Sequence, residues 1–463
     1  MPNHVARSYE SNVRPELSFG RDDDRSVFFH RENHFYYLGP NDPGGGPPLR
    51  LPTAGLPGCD GFFPLEMDYG RVTGNNVISW LPSIHDWYET VKLNYGHDFT
   101  QGRTTSLPGT DALLADVPKT WRSMDAILAY WQEMGVSGFR ADMAHMVPME
   151  FWRWAIKRAR TRQADVFFTA EAYDNDPAKL TDGNVLDELF NAGFDAVYDD
   201  PAYDLLEGIY DSGKWANDLD DLTFGRSNFH QLLRYAENHD EVRLANPKEW
   251  GALGMKVGKP VSAVLFAMGR GPVMLYNGQE IGEPAIGSEG FCSDDSRTTI
   301  FDYWSMPEFT KWVNDSKYDG GRLSDEQKEL RSWYGKLVQV TQSCAFVQGE
   351  FYGLNHSNRE NRKFGRVGNE TVSGHWLYAF LRHDSTSGES FLVVVNFHGY
   401  EPMRDVVIDI PDHAWEFMGR SSSQKWSFVN RLDREWCGES TSGKIALPEL
   451  APCSAMLLEI ARK

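Results

Sequence analysis

The sequence predicts an α/β domain built on a parallel sheet, followed by an all-β domain. Strand-like and helix-like segments alternate from residue 118 onward, strands without intervening helices fill the chain from about residue 375, and the 463-residue length admits about three domains or one large α/β unit with attachments. Apolar residues at 41% and charged residues at 24% supply enough material for a sizeable core. The 46 Lys and Arg stand against 66 Asp and Glu, and the resulting net charge of −20 counts against nucleic acid and anionic lipid as partners. No run approaches the ~18 to 20 apolar residues needed to span a bilayer. Cys59, Cys292, Cys344, Cys437 and Cys453 show no close pairing and read as structural thiols, not as a zinc or disulfide framework.

Residues 1 to about 98 read as an irregular inserted domain, because Gly and Pro crowd PNDPGGGPPLRLPTAGLPG at 40–58. Pro118 then opens a helix whose apolar stripe is Trp121, Met124, Leu128 and Trp131. The strand VSGFRADM (136–143) follows, then a second amphipathic helix after Pro148 and the strand DVFFTAEAY (165–173). Strands continue at FDAVYD (194–199), LLRYAENHD (232–240) and PVMLYNGQE (272–280), with helix-like segments between them. Strands separated by helices imply βαβ units and a parallel sheet. Ser324 and Gln327 lie in capping-box register ahead of a helix with Leu330, Trp333, Tyr334, Leu337 and Val338 on one face. The runs WLYAFLRHD, SFLVVVNF, MRDVVIDI and SAMLLEI, separated by turns, predict a C-terminal β-sandwich.

Polar residues at the C-terminal ends of parallel strands are the ones to weigh for chemistry. Arg140 and Asp142 share a face by period-2 geometry, and a guanidinium beside a carboxylate favours its ionised, nucleophilic form. Glu171 is reached through Phe167, Phe168 and Ala170, so partial burial and a neighbouring anion are expected to favour its protonated form. The strand at 232–240 ends in Asn238, His239 and Asp240. A single acid at a strand end is more often a helix cap or half of an ion pair. Three in order suggest retaining glycoside hydrolysis, in which two carboxyls ~5 Å apart bracket the scissile bond. His239 and Asp240 are adjacent, so both can face one ligand only if the strand has ended or bulged there.

The segments GFRADMAHMV, FFTAEAY and ENHDE resemble, in order, the catalytic segments of the α-amylase family of glycoside hydrolases, family 13. The resemblance implies a (β/α)8 TIM barrel with an inserted loop domain and a C-terminal all-β sandwich. It assigns Asp142 as nucleophile, Glu171 as general acid/base and Asp240 as transition-state stabiliser. Arg140, His239, Asn238 and His4, the last in PNH at 2–4, become substrate-binding residues. On this carry-over residues 1–4 close the third barrel strand and 5–117 form the inserted domain and the approach to the next helix. Residues 118–345 are the remainder of the barrel and 346–463 the sandwich. The family's first catalytic segment begins upstream of Asn3, so the first two strands are expected to be missing and the chain to be a fragment. The compartment is then cytoplasmic if Met1 is the true start, or secreted if a leader preceded it.

The implied function is a retaining hydrolase of α-glucans or α-linked gluco-oligosaccharides. The alternatives are a transglycosylase or isomerase related to sucrose or trehalose enzymes, and a truncated non-catalytic carbohydrate-binding chain. Oligomeric state is left open. No cofactor is expected. The family's calcium-site aspartate lies in a segment resembling PDLN, whose counterpart here is VKLN at 91–94, with Lys92 in that place. Lys92 then either sets its charge near the vacated site or is an ordinary surface lysine. Among the aromatics, Trp80, Trp87 and Tyr88 are the candidates for sugar contact in the inserted domain, while His85 and His97 read as structural.

Overall fold

The computed structural model describes residues 3–7, 18–55, 59–102, 106–223, 226–287, 295–299, 306–440 and 442–462, so Cys292 lies outside the described residues. The chain forms two compact units, Met1–Tyr198 and Asp199–Lys463.

In the first unit β1 (His4–Ala6) pairs antiparallel with β2 (Thr90–Lys92), placing His4 opposite Lys92. The Gly- and Pro-rich stretch between them is irregular, as its composition demands. It closes over a small core of Tyr36, Leu38, Leu49, Val72 and Trp80. A buried ion cluster pins it: Arg7 Nη1 donates to Glu66 Oε2 at 2.7 Å and Arg71 Nε to Glu66 Oε1 at 2.7 Å.

The α/β part begins with α1 (Lys119–Glu133), which buries Trp121, Met124 and Leu128. Trp131, the fourth residue of the predicted stripe, is exposed. Then come β3 (Gly138–Ala141), α2 (Met149–Arg162), β4 (Phe167–Ala170), α3 (Val185–Ala192) and β5 (Ala196–Tyr198). The three strands are parallel, with Arg140 opposite Thr169 and Thr169 opposite Ala196. Helix α3 is bounded as its sequence dictates: the Asn184 side chain accepts from the N–H groups of Leu186 and Asp187, and Gly193 takes φ 108° at the other end.

The second unit opens with α4 (Asp200–Asp211) and the short β6 (Leu232–Leu233), where a strand over 232–240 was predicted. Arg234 adds one parallel bridge to Val273, and that bridge is all that forms of the predicted strand at 272–280. Both segments leave the ladder early because their polar residues bond within their own loops, as Asp240 N–H does to Asn238 Oδ1 at 2.7 Å. Three helices follow, α5 (Gly258–Met268), α6 (Pro307–Val313) and α7 (Asp325–Val340). The capping box of α7 is realised, with Gln327 N–H donating to Ser324 Oγ at 3.2 Å and Ser324 N–H to Gln327 Oε1 at 3.0 Å. Leu330, Tyr334 and Leu337 are buried, whereas Val338 is exposed.

The chain ends in β7 (Glu350–Gly353), β8 (Leu377–His383), β9 (Ser390–Asn396), β10 (Val407–Asp409), β11 (Trp426–Asn430), β12 (Trp436–Ser440), β13 (Lys444–Ala446) and β14 (Ser454–Arg462). Six of these form an antiparallel sheet in the order β12-β11-β14-β9-β8-β7, and β10 pairs with β13 in a second sheet. Leu381, Val394, Phe428 and Ile460 of the large sheet share a core with Ile408 and Ile445 of the small one, so the C-terminal part is layered as predicted. β8 and β9 are buried along their whole length, since α5 packs against the large sheet. That two-sided burial explains why LYAFLRH and FLVVVN show continuous hydrophobicity instead of alternation.

Candidate active site

In the first unit the parallel strands deliver two acids to one guanidinium. Arg140 lies on β3 and Asp142 is the first residue after its end; Glu171 is the first residue after β4. Arg140 Nη1 donates to Asp142 Oδ1 at 3.0 Å, and Arg140 Nη2 stands 2.9 Å from Glu171 Oε2. The two carboxyls are therefore neighbours, held on adjacent nitrogens of a planar fork. Burial works against the Arg140 charge, but Glu171, Tyr198 and Asp142 outweigh it, and its pKa is raised.

The two acids differ in surroundings. The Asp142 side chain is 28% exposed and that of Glu171 is 2%, so one acid is partly exposed and the other is enclosed. His4 Nδ1 approaches Asp142 Oδ2 to 3.7 Å. Glu171 is not enclosed by apolar groups and an anion alone, as the sequence suggested. Met143 N–H donates to Oε2 at 2.8 Å and the Tyr173 hydroxyl to Oε1 at 3.2 Å, beside the Arg140 contact. Met143 reaches Glu171 because it takes φ 45°, a left-handed conformation that turns the chain sharply after Asp142.

In the second unit His239 Nε2 lies 2.9 Å from Asp240 Oδ2, and Asn238 receives the Asp240 N–H. Because the strand ends at Leu233, the opposite-face constraint on His239 and Asp240 does not apply. The next residue, Glu241, is pushed up to about 8 by burial and then by Asp200, so it carries a proton at neutral pH.

Lys92 is no surface lysine. It is buried, and its Nζ donates to Asn3 Oδ1 at 2.6 Å. Near it the buried His145 holds Asp176 at 2.8 Å through Nε2. Burial would raise Asp176, but His145, the Ala178 N–H and Lys92 together keep it below the usual carboxylate range. Burial lowers Lys92 to about 7, with Asp176 opposing. An unfolded lysine titrates near ~10.4, so between that value and about 7 the unfolded chain binds a proton that the folded chain does not. Stability should therefore rise with pH across this window and reach its full value only above the unfolded pKa. Urea unfolding at several pH values checks this, and Lys92→Met should remove that slope.

No family model matches the sequence. The chain is 24% identical over 317 residues to an α-amylase of Streptomyces lividans, covering 64% of this chain and 32% of that protein. It is 24% identical over 248 residues to α-amylase 3 of Dictyoglomus thermophilum, covering 50% of this chain and 47% of that one. It thus spans a third to a half of these relatives' length. Its fold resembles the crystal structure of an Anoxybacillus α-amylase, with a TM-score of 0.50 and 17% identity over 80% of this chain and 74% of that chain. The chain is thus similar to α-amylases over half to two thirds of its own length.

Of the residues singled out in the sequence, Arg140, Asp142, Glu171 and His4 come together in the first unit, while Asn238, His239 and Asp240 cluster in the second. Sequence reasoning missed Tyr198, whose hydroxyl lies 3.3 Å from Arg140 Nε, and Tyr173. Both were findable. Tyr173 follows Glu171 by two residues, and Tyr198 ends the next strand, where the strand-end rule already pointed. The Met143 N–H had no sequence signal, since it depends on a backbone angle.

Proposed function

We propose that the chain carries the active site of a retaining glycoside hydrolase acting on α-glucans or α-linked gluco-oligosaccharides. The observation that carries this reading is the shared Arg140 clamp, which sets a partly exposed acid beside an enclosed one. Asp142 attacks the anomeric carbon and forms a covalent glycosyl ester. Glu171 protonates the leaving oxygen and then takes a proton from the water that cleaves the ester. We assign the proton to Oε1, because the Tyr173 hydroxyl there can rotate to accept it, whereas the Met143 N–H and the Arg140 guanidinium at Oε2 can only donate. His4 and Arg140 hold the sugar or orient these two acids, and for Asp240, His239 and Asn238 we keep the roles that the resemblance implies. The parallel βαβ order supports a (β/α)8 barrel as the scaffold and the C-terminal layers a β-sandwich.

The calcium site of the family is not expected here. Lys92 Nζ donates to Asn3 Oδ1 and so occupies the oxygen a hard divalent cation would need, while itself offering no oxygen ligand.

The test is incubation with starch, maltooligosaccharides, sucrose and trehalose, following the anomeric configuration of the first product by NMR. Release of the α-anomer from glucans is expected. A β-anomer, or action on sucrose or trehalose alone, would overturn the reading. Glu171→Gln should lower turnover about 10²- to 10⁴-fold. It should do so less severely for substrates with activated leaving groups, which need no proton.

A further inference from the structure

Trp80 and Trp87 sit seven residues apart in the inserted segment and have opposite fates. Trp80 is core, 1% exposed, with its indole N–H donating to Gly39 O at 2.8 Å. Trp87 is 37% exposed and has φ 45°, a backbone conformation that a bulky side chain rarely adopts. Such strain persists only where the surroundings over-determine it. Here they do. The Thr90 N–H and hydroxyl both donate to Trp87 O, at 2.9 and 2.8 Å, and Arg7 Nε donates to Tyr88 O at 2.7 Å. Arg7 is itself fixed by Glu66, so the turn is anchored to the buried ion cluster.

What this strained turn achieves is the placement of one ring. The Trp87 indole lies 5.3 Å from the His4 ring, tilted by 57°, and His4 in turn faces Asp142 at 3.7 Å. Gly74 makes room for this arrangement, since a Cβ there would stand 2.9 Å from His4 Cβ and Cγ. Leu81 and Ile84 on the same segment are each 53% exposed. An exposed indole against His4, which itself faces Asp142, held by its backbone against strain, matches the apolar face of a pyranose.

We propose that Trp87 is a stacking platform for a glucosyl unit adjoining the one that Asp142 attacks, making it a specificity-determining residue for oligosaccharides over short glucosides. This rests on the hydrolase reading above. The ring supplies binding to a neighbouring sugar and takes no part in bond making, so it acts on KM and on chain-length preference.

The experiment compares wild type, Trp87→Gly and Trp87→Tyr on maltotriose to maltoheptaose and on p-nitrophenyl α-glucoside, with thermal melts of each. Trp87→Gly removes the ring while suiting the backbone, so it should melt no lower than wild type. It should raise KM for the oligosaccharides about tenfold, with kcat and the short glucoside little changed. Trp87→Tyr should recover most of the loss. Unchanged oligosaccharide KM in a folded Trp87→Gly, or a fall in kcat on every substrate, would overturn the platform while leaving the hydrolase reading intact. If wild type neither binds nor cleaves any maltooligosaccharide, both fall together.

Discussion

Asp142→Asn should cut turnover on α-glucans by about a thousandfold or more if Asp142 is the nucleophile proposed above, because it removes the atom that would bond to the anomeric carbon. The amide oxygen can still accept from Arg140 Nη1, the role that Asp142 Oδ1 plays at 3.0 Å, so the substitution is expected to spare the fold. That separation gives a second readout. In a double displacement the sugar is attacked from the face the carboxylate occupies, and in Asp142→Gly a small anion such as azide should enter the space left by the missing side chain. Added azide should then restore part of the rate with activated glucosides and yield the β-glycosyl azide, of inverted configuration. Activity within tenfold of wild type, or rescue with retained configuration, would remove Asp142 from the nucleophile role.

The largest effect on stability is expected at Arg382. This residue lies on β8, fully buried, and its guanidinium donates to five backbone carbonyls. Nη1 reaches Ala267 O and Gly269 O at 2.7 and 2.8 Å, which caps the C-terminal end of α5 with a positive charge. Nη2 reaches Phe346 O and Gly349 O at 3.0 and 2.6 Å, and Nε reaches Glu350 O at 3.3 Å. Arg382→Met keeps much of the stem volume but strands these acceptors without donors. The cost should be about 3–5 kcal/mol, read as a lower urea midpoint. Arg382→Lys should fall between, since an ammonium has three donors for five acceptors. A midpoint for Arg382→Met equal to wild type would show that water replaces the guanidinium at little cost.

Arg382 also shows where sequence reading stops. LYAFLRH announces a strand through its aromatic and leucine neighbours, but a charge in that run reads as an outward-facing side chain. Only the second layer, α5 packed on the sheet, turns that face into an interior where one arginine can satisfy five carbonyls. Lys92 is a similar case. Its sequence position left open a surface lysine or a displaced ligand, and the antiparallel pairing of β1 with β2 decided the matter by burying it against Asn3.

The strands at 232–240 and 272–280 mark the opposite error. Hydrophobic text predicted long strands, but a strand lasts only while a neighbour matches its backbone groups, and here pairing is confined to Leu232–Leu233 and the Arg234–Val273 bridge. Helices fared better because their hydrogen bonds are local: the caps of α7 and the buried stripe of α1 follow from residues within a few positions of one another. The identities of Arg140, Asp142 and Glu171, their order and the strand ends that carry them were fixed by the chain itself, through period-2 geometry. That one guanidinium holds both acids, that Met143 bends back to Glu171 and that Trp87 stands over His4 are matters of distance between segments far apart in sequence. Local preferences cannot encode such distances. They arise when the parallel ladder of β3 and β4, and the buried Arg7 cluster, bring those segments into contact.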